Sequence, residues 1–217
     1  MRDEFERQLA LLNEELTTMG GLIESAIANA VKALDGDEHS INKAYDYEKS
    51  IDNKEREIES LCLKLLLTQQ PVASDLRLIS AALKMITDIE RVGDQSADIA
   101  DLNIQLIKKK QKWDLSDISE MARAATQMVN DAIDAYVNDD ENLARKVISS
   151  DDKIDELFVK TKDKIIDEIA ADKANGEKAI DTLMVAKYFE RIGDHAVNIA
   201  EWVVFSVTGV HKTERIM

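Results

Sequence analysis

The chain has 217 residues, one proline, seven glycines and a net charge of −15. Since helix-breaking residues are nearly absent, this composition favours an all-α protein. The acidic balance argues against nucleic-acid binding, which needs basic charge to displace counterions from phosphates. One cysteine, no secretory signal and no apolar run long enough to span a bilayer together predict a cytoplasmic protein without disulfides.

The first half of the chain shows three segments of helical periodicity. Apolar residues recur at three- and four-residue steps over 3–34, 38–67 and 71–110. Asp35-Gly36-Asp37 ends the first segment. Pro71 marks the start of the third, because proline is tolerated in the first turn of a helix.

The second half repeats this plan over 116–137, 141–172 and 177–208. The stretch FERIGDHAVNIAE at 189–201 matches IERVGDQSADIAD at 89–101 in six of thirteen positions, at an offset of 100 residues. The second helices match at an offset of 103, as in Ile51-Asp52 and Ile154-Asp155. We predict two tandem three-helix bundles, at residues 1–112 and 113–217, that pack side by side.

Acidic residues continue the apolar stripes of the third and sixth helices. Steps of three and four keep residues on one helix face. The residues on these two stripes are Glu90, Asp94, Asp98 and Asp101 in the third helix, and Glu190, Asp194, Asn198 and Glu201 in the sixth. Like charges at this spacing destabilise a helix by about 0.2–0.5 kcal/mol per pair, and burial raises that cost. A positive group is therefore expected beside each stripe.

The second helix of each half carries a matching pair of acids, Glu48 with Asp52 and Asp151 with Asp155. Antiparallel packing would bring each pair to the stripe of the next helix. Such a density of oxygen ligands suits Mg²⁺, Ca²⁺, Mn²⁺ or iron. Two alternatives stay open. The acids form a solvated face, or Arg91 and Arg191 pair with neighbouring carboxylates.

Two other features bear on this prediction. Asp163 and Asp167 share the four-residue spacing but have no counterpart in the first half, so we expect them on the solvated surface. Gly93 and Gly193 interrupt helices where alanine would be more stable by about 1 kcal/mol. We expect a neighbouring backbone to lie close to each glycine.

Three strings resemble the PhoU family, accessory proteins of the bacterial phosphate-specific transport system. They are QQPVASDLR at 69–77, DIERVGD at 88–94 and YFERIGDH at 188–195. The resemblance covers essentially the whole chain. It implies two three-helix bundles related by a pseudo-twofold axis, with E(D)xxxD motifs that bind multinuclear clusters of iron or zinc.

By position, those motifs fall on Glu48/Asp52, Glu90/Asp94, Asp151/Asp155 and Glu190/Asp194. Asp98, Asp101 and Glu201 follow on the same faces and are expected to assist. Asn198 departs from its counterpart Asp98 because it offers a carbonyl oxygen without charge, so the two clusters are expected to differ in metal count or affinity.

The resemblance also implies a role in negative regulation of the phosphate-starvation response. The protein would couple the ATPase subunit of the phosphate ABC transporter to a sensor histidine kinase, as a scaffold and not a catalyst. Contact with the membrane would be peripheral and through these partners. A homodimer is expected, and Trp202, Val203, Val204 and Phe205 are expected in the core or on the dimer surface.

Two other functions compete with this one. A carboxylate-bridged metal enzyme in a helical bundle needs Glu-x-x-His motifs, but Ile192 stands three residues before His195. A metal-free helical interaction protein would use its acids for solubility alone. Separately, the lysine-rich run at 108–113 fits contact with anionic lipid headgroups, or a favourable interaction with the helix dipole.

Overall fold

The computed structural model describes residues 2–34, 36–69, 71–108 and 116–210. These residues form six long α-helices, a short 3-10 helix at Lys173–Asn175 and no strand, so the all-α prediction is confirmed. The helices are α1 (Arg2–Leu34), α2 (Glu38–Gln69), α3 (Ala73–Lys108), α4 (Ser116–Val137), α5 (Glu141–Ala171) and α6 (Gly176–Thr208).

The helix bounds agree with the periodicity to within a few residues, and one detail is corrected. Pro71 precedes α3 instead of lying in its first turn, because the first carbonyl of the ladder belongs to Val72, which accepts from the Leu76 N–H at 2.9 Å. The turn before α5 follows ordinary capping chemistry. Asp140 is the N-cap, and its carboxylate accepts from the Leu143 N–H at 3.0 Å.

Helices α1–α3 pack together as bundle 1, and α4–α6 pack together as bundle 2. The bundles meet where α3 packs against α6 and α1 against α4. Helices α3 and α6 run antiparallel, since Arg77 near the start of α3 lies beside Ser206 near the end of α6. A single apolar cluster crosses both bundles and includes Met19, Ile133 and Phe189.

The two glycines in the acidic helices mark a close contact that occurs once in each bundle. A Cβ atom built on Gly93 would lie 3.1 Å from Ile51 Cδ1, and one on Gly193 would lie 2.9 Å from Ile154 Cδ1. The expectation of a neighbouring backbone was wrong: the nearest neighbour is an isoleucine side chain. Each glycine lets the second helix of its bundle approach the third.

Other predictions concern single segments. Cys62 is buried, and burial raises the pKa of its thiol to about 12. Val203 is buried, while Trp202 and Val204 pack partly buried against the core. Among the described helices, none is both long and apolar enough to cross a membrane. The headgroup contact predicted for 108–113 falls on side chains outside the described residues.

Candidate metal centre

Three carboxylates of bundle 1 converge between α2 and α3. Glu48 and Asp52 lie one turn apart on α2, Asp94 lies on α3, and one oxygen from each falls within 4.8 Å of the others. The packing of Ile51 against Gly93 explains this approach. Each of these two residues immediately precedes an aspartate, so the contact that brings the helices together also brings Asp52 to Asp94.

This cluster is electrostatically strained without a cation. Burial raises the pKa of the Glu48 carboxyl, and the charges of Asp52 and Asp94 raise it further. Burial also raises the pKa of the Glu90 carboxyl, with Asp94 adding to the effect. Partly buried carboxylates that repel one another suit a hard or borderline divalent cation, which prefers oxygen ligands. The residues of bundle 1 therefore fit a metal.

Glu55 belongs to the same acidic surface and was missed by sequence reasoning. It lies three residues after Asp52 on α2, and Thr87 of α3 donates to its carboxylate at 3.5 Å. Burial raises its pKa, followed by the charges of Glu59 and Asp52. Its position three residues after Asp52 places it on the same face of α2, and this spacing could have predicted it.

The arginine alternative is also realised in bundle 1. Arg91 donates to Asp94 at 3.0 Å and lies 3.5 Å from Glu90, while Arg56 lies 3.7 Å from Asp52. The Arg91 side chain is 58% exposed. Solvent-exposed ion pairs contribute about 0–1 kcal/mol, so these arginines offset only part of the repulsion.

In bundle 2 a lysine pairs with one of the predicted ligands. Lys187 donates to one oxygen of Glu190 at 2.5 Å and lies 5.4 Å from the ring centre of Phe158. The other oxygen of Glu190 is buried, with no hydrogen bond to any part of the chain that the structure describes. Asp151 lies beside Gly193, while Asp155 is exposed on α5. Within the described residues, only Glu48, Asp52 and Asp94 form a group of three that could hold a metal.

Asp98 and Asn198, which occupy equivalent positions in the two bundles, lie where α3 packs against α6. We call this interface the seam. Burial raises the pKa of the Asp98 carboxyl on α3, and an interaction with the Tyr188 hydroxyl on α6 opposes that rise. Asn198 on α6 donates to Asp88 on α3 at 3.2 Å. His195 also contacts Asp88, at 2.8 Å. At an offset of 100 residues the two contacts are equivalent, so they obey the pseudo-twofold relation of α3 and α6.

The last pair of predicted residues, Asp101 and Glu201, also lies apart from the group of three. Asp101 accepts a hydrogen bond from Tyr45. Burial of that phenol, followed by this bond, raises the pKa of Tyr45 to about 12. Glu201 lines a pocket between α5 and α6 together with Arg145. Asp163 and Asp167 are exposed on α5, as predicted.

Comparison with known proteins gives a consistent result for both halves. The sequence model of the PhoU domain family matches residues 16–102 and again 118–203. A phosphate-specific transport system accessory protein PhoU homolog from Clostridium acetobutylicum is 34% identical over 96% of each chain. A PhoU homolog 1 from Thermotoga maritima is 32% identical over 97% of this chain and 91% of its own.

Solved structures agree. The crystal structure of PhoU from Pseudomonas aeruginosa superposes with a TM-score of 0.89 at 31% identity, covering 95% of this chain and all of its own. The phosphate transport system regulatory protein PhoU from Streptococcus pneumoniae gives 0.86 at 25% identity, covering 95% and 98%.

Proposed function

The chain belongs to the PhoU family, and on this premise we propose that it is an accessory protein of a phosphate-specific transport system. Its role is to regulate phosphate uptake and to keep the phosphate-starvation response off when phosphate is plentiful. Support comes from a match that includes both halves and nearly the full length of relatives named for that system. The domains we propose are 1–112 and 113–217.

The partners we propose are the ATPase subunit of the phosphate ABC transporter and a sensor histidine kinase. The protein acts as a cytoplasmic scaffold and homodimer that reaches the membrane through these partners and catalyses no reaction. Six long helices that pack into two bundles give it an extended frame, which suits a protein that presents two surfaces to two partners.

The finer part of the proposal is a metal site. The observation that carries it is the convergence of Glu48, Asp52 and Asp94, with Glu90 and Glu55 on the same surface. An iron or zinc ion would neutralise these carboxylates and link α2 to α3. Asp151, Asp155, Glu190 and Asp194 are the ligands we propose for bundle 2, at lower affinity because Lys187 already neutralises Glu190.

The adaptor role is tested by pull-down from phosphate-replete cells. The full chain should recover the transporter ATPase and the kinase. Glu48→Gln combined with Asp94→Asn should recover less of both, because α2 and α3 lose their metal link. Asp163→Asn with Asp167→Asn changes the same charge on an exposed helix face and serves as the control. Recovery of neither partner by the unmodified chain would contradict the adaptor role.

A metal-free interaction protein is the second candidate. The pairing of Arg91 with Asp94 favours it, since an internal cation then stands beside the carboxylates. It predicts that the dialysed protein contains no metal. The hypothesis of a carboxylate-bridged metal enzyme has a separate test. Oxygen consumption by the iron-loaded protein would favour an enzyme over a scaffold.

A further inference from the structure

Bundle 2 has a half-enclosed pocket between α5 and the end of α6. Its volume is about 510 Å³, and its lining consists of Arg145, Ile148, Glu201, Val204, Thr208 and Val210. This volume lies in the range of small-ligand sites, about 300–1,000 Å³. Most of the lining is apolar, with one carboxylate and one guanidinium. We refer to it as the α5–α6 pocket.

The corresponding place in bundle 1 holds a tyrosine. Tyr45 corresponds to Ile148 at the offset of 103 for second helices, and Asp101 corresponds to Glu201 at the offset of 100 for third helices. In bundle 1 the Tyr45 ring packs beside a small buried cluster that includes Ala44, and its hydroxyl donates to Asp101. Bundle 2 keeps the acid but replaces the tyrosine by an isoleucine, which lacks the ring and the hydroxyl.

Among the residues that the structure describes, Glu201 therefore lacks the donor that its counterpart Asp101 has. Glu201 has no hydrogen bond or ion pair with the part of the chain that the structure describes, and it is only half-buried. Arg145 does not take that place, because its guanidinium pairs with Glu141 at 2.7 Å. The pocket thus combines an apolar wall with a carboxylate that can accept a hydrogen bond.

We propose that the α5–α6 pocket binds the side chain of a tyrosine presented by a protein partner. The ring would lie against Ile148 and Val204, and the phenol would donate to Glu201, as Tyr45 does to Asp101. The pocket is only half enclosed, and Thr208 and Val210 of its lining are exposed. A side chain can therefore enter while its backbone stays outside. Tyrosine suits such a place because it has an apolar body and a polar tip.

The chemistry is tested with p-cresol, which is the tyrosine side chain, and toluene, which is the phenylalanine side chain. Titration of the full chain is followed by the NMR signals of the Ile148, Val204 and Val210 methyl groups. We expect saturable shifts, with p-cresol binding about tenfold more tightly than toluene because hydrogen bonds to charged groups are the stronger ones. Equal affinity for the two, or no saturable shift, would overturn the proposal.

Variants assign the binding to this pocket. Ile148→Tyr supplies the missing side chain from within and should abolish p-cresol binding. Ile166→Tyr, on an exposed part of α5, is the matched control and should leave binding unchanged. Glu201→Gln should reduce the preference for p-cresol over toluene to about threefold or less, since a neutral acceptor forms a weaker bond. An unchanged preference would contradict the role of Glu201, even if Ile148→Tyr does not fold.

The source of the phenol is tested with the peptide acetyl-Gly-Tyr-Gly-amide and its phenylalanine analogue. A partner tyrosine predicts that the tyrosine peptide shifts the same methyl signals and binds more tightly than the analogue. If p-cresol binds and the peptide does not, the pocket takes a free small phenol, and the assignment to a protein partner is wrong.

Discussion

In both bundles a glycine of the third helix receives an isoleucine of the second, yet the acids around that contact are balanced differently. In bundle 1 the Ile51–Gly93 contact lies beside three converging carboxylates. In bundle 2 the Ile154–Gly193 contact lies beside Asp151, and Glu190, three residues before Gly193, pairs with Lys187. The contact between the second and third helices is thus the same in the two bundles, but the charges around it differ.

Two positions account for this difference. Thr87 and Glu55 form a hydrogen-bonded pair across α2 and α3 in bundle 1. Their counterparts in bundle 2 are Lys187 and Phe158, whose ammonium group and ring are 5.4 Å apart. One acid is therefore lost and one cation gained. The E(D)xxxD spacing therefore brings the carboxylates to one helix face, and the neighbouring side chains determine whether these carboxylates still need a cation.

The largest effect is expected from giving bundle 2 the two side chains of bundle 1. In a chain whose first site is disabled by Asp52→Asn and Asp94→Asn, we add Lys187→Thr and Phe158→Glu. The zinc affinity of bundle 2 should rise about tenfold or more, the scale on which neighbours of metal ligands act. Isothermal titration measures it.

A matched control for this experiment changes the charge nearby without touching the cluster. Lys173→Thr with Ile166→Glu makes the same charge change at exposed positions near the C-terminal end of α5. Equal gains in the two chains would show that net charge alone sets the affinity. Lys187→Thr by itself should give part of the gain and covers the case in which Phe158→Glu does not fold.

The glycine contacts come next in size. A Cβ on Gly193 meets Ile154 at 2.9 Å, against 3.1 Å for Gly93 and Ile51. Gly193→Ala should lower the free energy of unfolding by about 1–2 kcal/mol, since overpacking exceeds the gain in helix propensity, and Gly93→Ala should lower it less. Urea denaturation measures both. Gly21→Ala, where nothing lies within 4 Å, should instead stabilise by up to about 1 kcal/mol.

A smaller effect is expected from the ion pairs that join α4 to α5 in bundle 2. Hydrogen bonds from Lys160 and then Lys164 hold the pKa of Asp117 below its ordinary value of 3.8. A lowered carboxyl pKa stabilises the fold above the pKa of the unfolded chain, and this contribution is lost as the pH falls through the folded pKa. Asp117→Asn should therefore lower the melting temperature by about 2–4 °C at pH 7, the lysines being half exposed.

The pH dependence distinguishes this ion pair from a packing effect. The difference between the unmodified chain and Asp117→Asn should stay constant at neutral pH and shrink below pH 3.8. Thermal scans from pH 7 to about pH 3 follow it. A difference that is undiminished at the acid end would show that Asp117 matters through shape and not through charge.

The smallest effect is expected at the seam. Tyr188→Phe removes the hydroxyl that interacts with the Asp98 carboxylate and should lower the free energy of unfolding by about 0.5–1 kcal/mol, the lower part of the range for a hydrogen bond. Asp88 is the pseudo-twofold counterpart of Tyr188. Asp88→Ala should lower the free energy of unfolding by more, because both His195 and Asn198 lose their partner. Chemical denaturation compares the two variants. Equal losses of unfolding free energy would contradict the different hydrogen bonding of the two seam contacts.

Sequence patterns predicted the helices well because apolar residues recur at helical spacing along nearly every segment. The same spacing placed Glu48, Asp52 and Asp94 on facing surfaces, and the structure brings them together. Their role in metal binding stays a prediction. The Lys187–Glu190 pair was readable from its three-residue step but was not considered.

Other features needed the third dimension. The positions of Asp98 and Asn198 depend on the antiparallel contact of α3 with α6, which no spacing within one helix encodes. The pairing of Tyr45 with Asp101 joins residues 56 apart along the chain. Side-chain size at a helix contact is also invisible to periodicity, so an isoleucine at each glycine was mistaken for a backbone.

The most direct test is elemental analysis of the full chain after dialysis, comparing Asp52→Asn with Asp94→Asn against Asp155→Asn with Asp194→Asn. If the first bundle concentrates uncompensated carboxylates, the unmodified chain retains iron or zinc, and the first double variant loses more of it than the second. A metal-free unmodified chain, or a first variant that retains the full complement, would contradict this account.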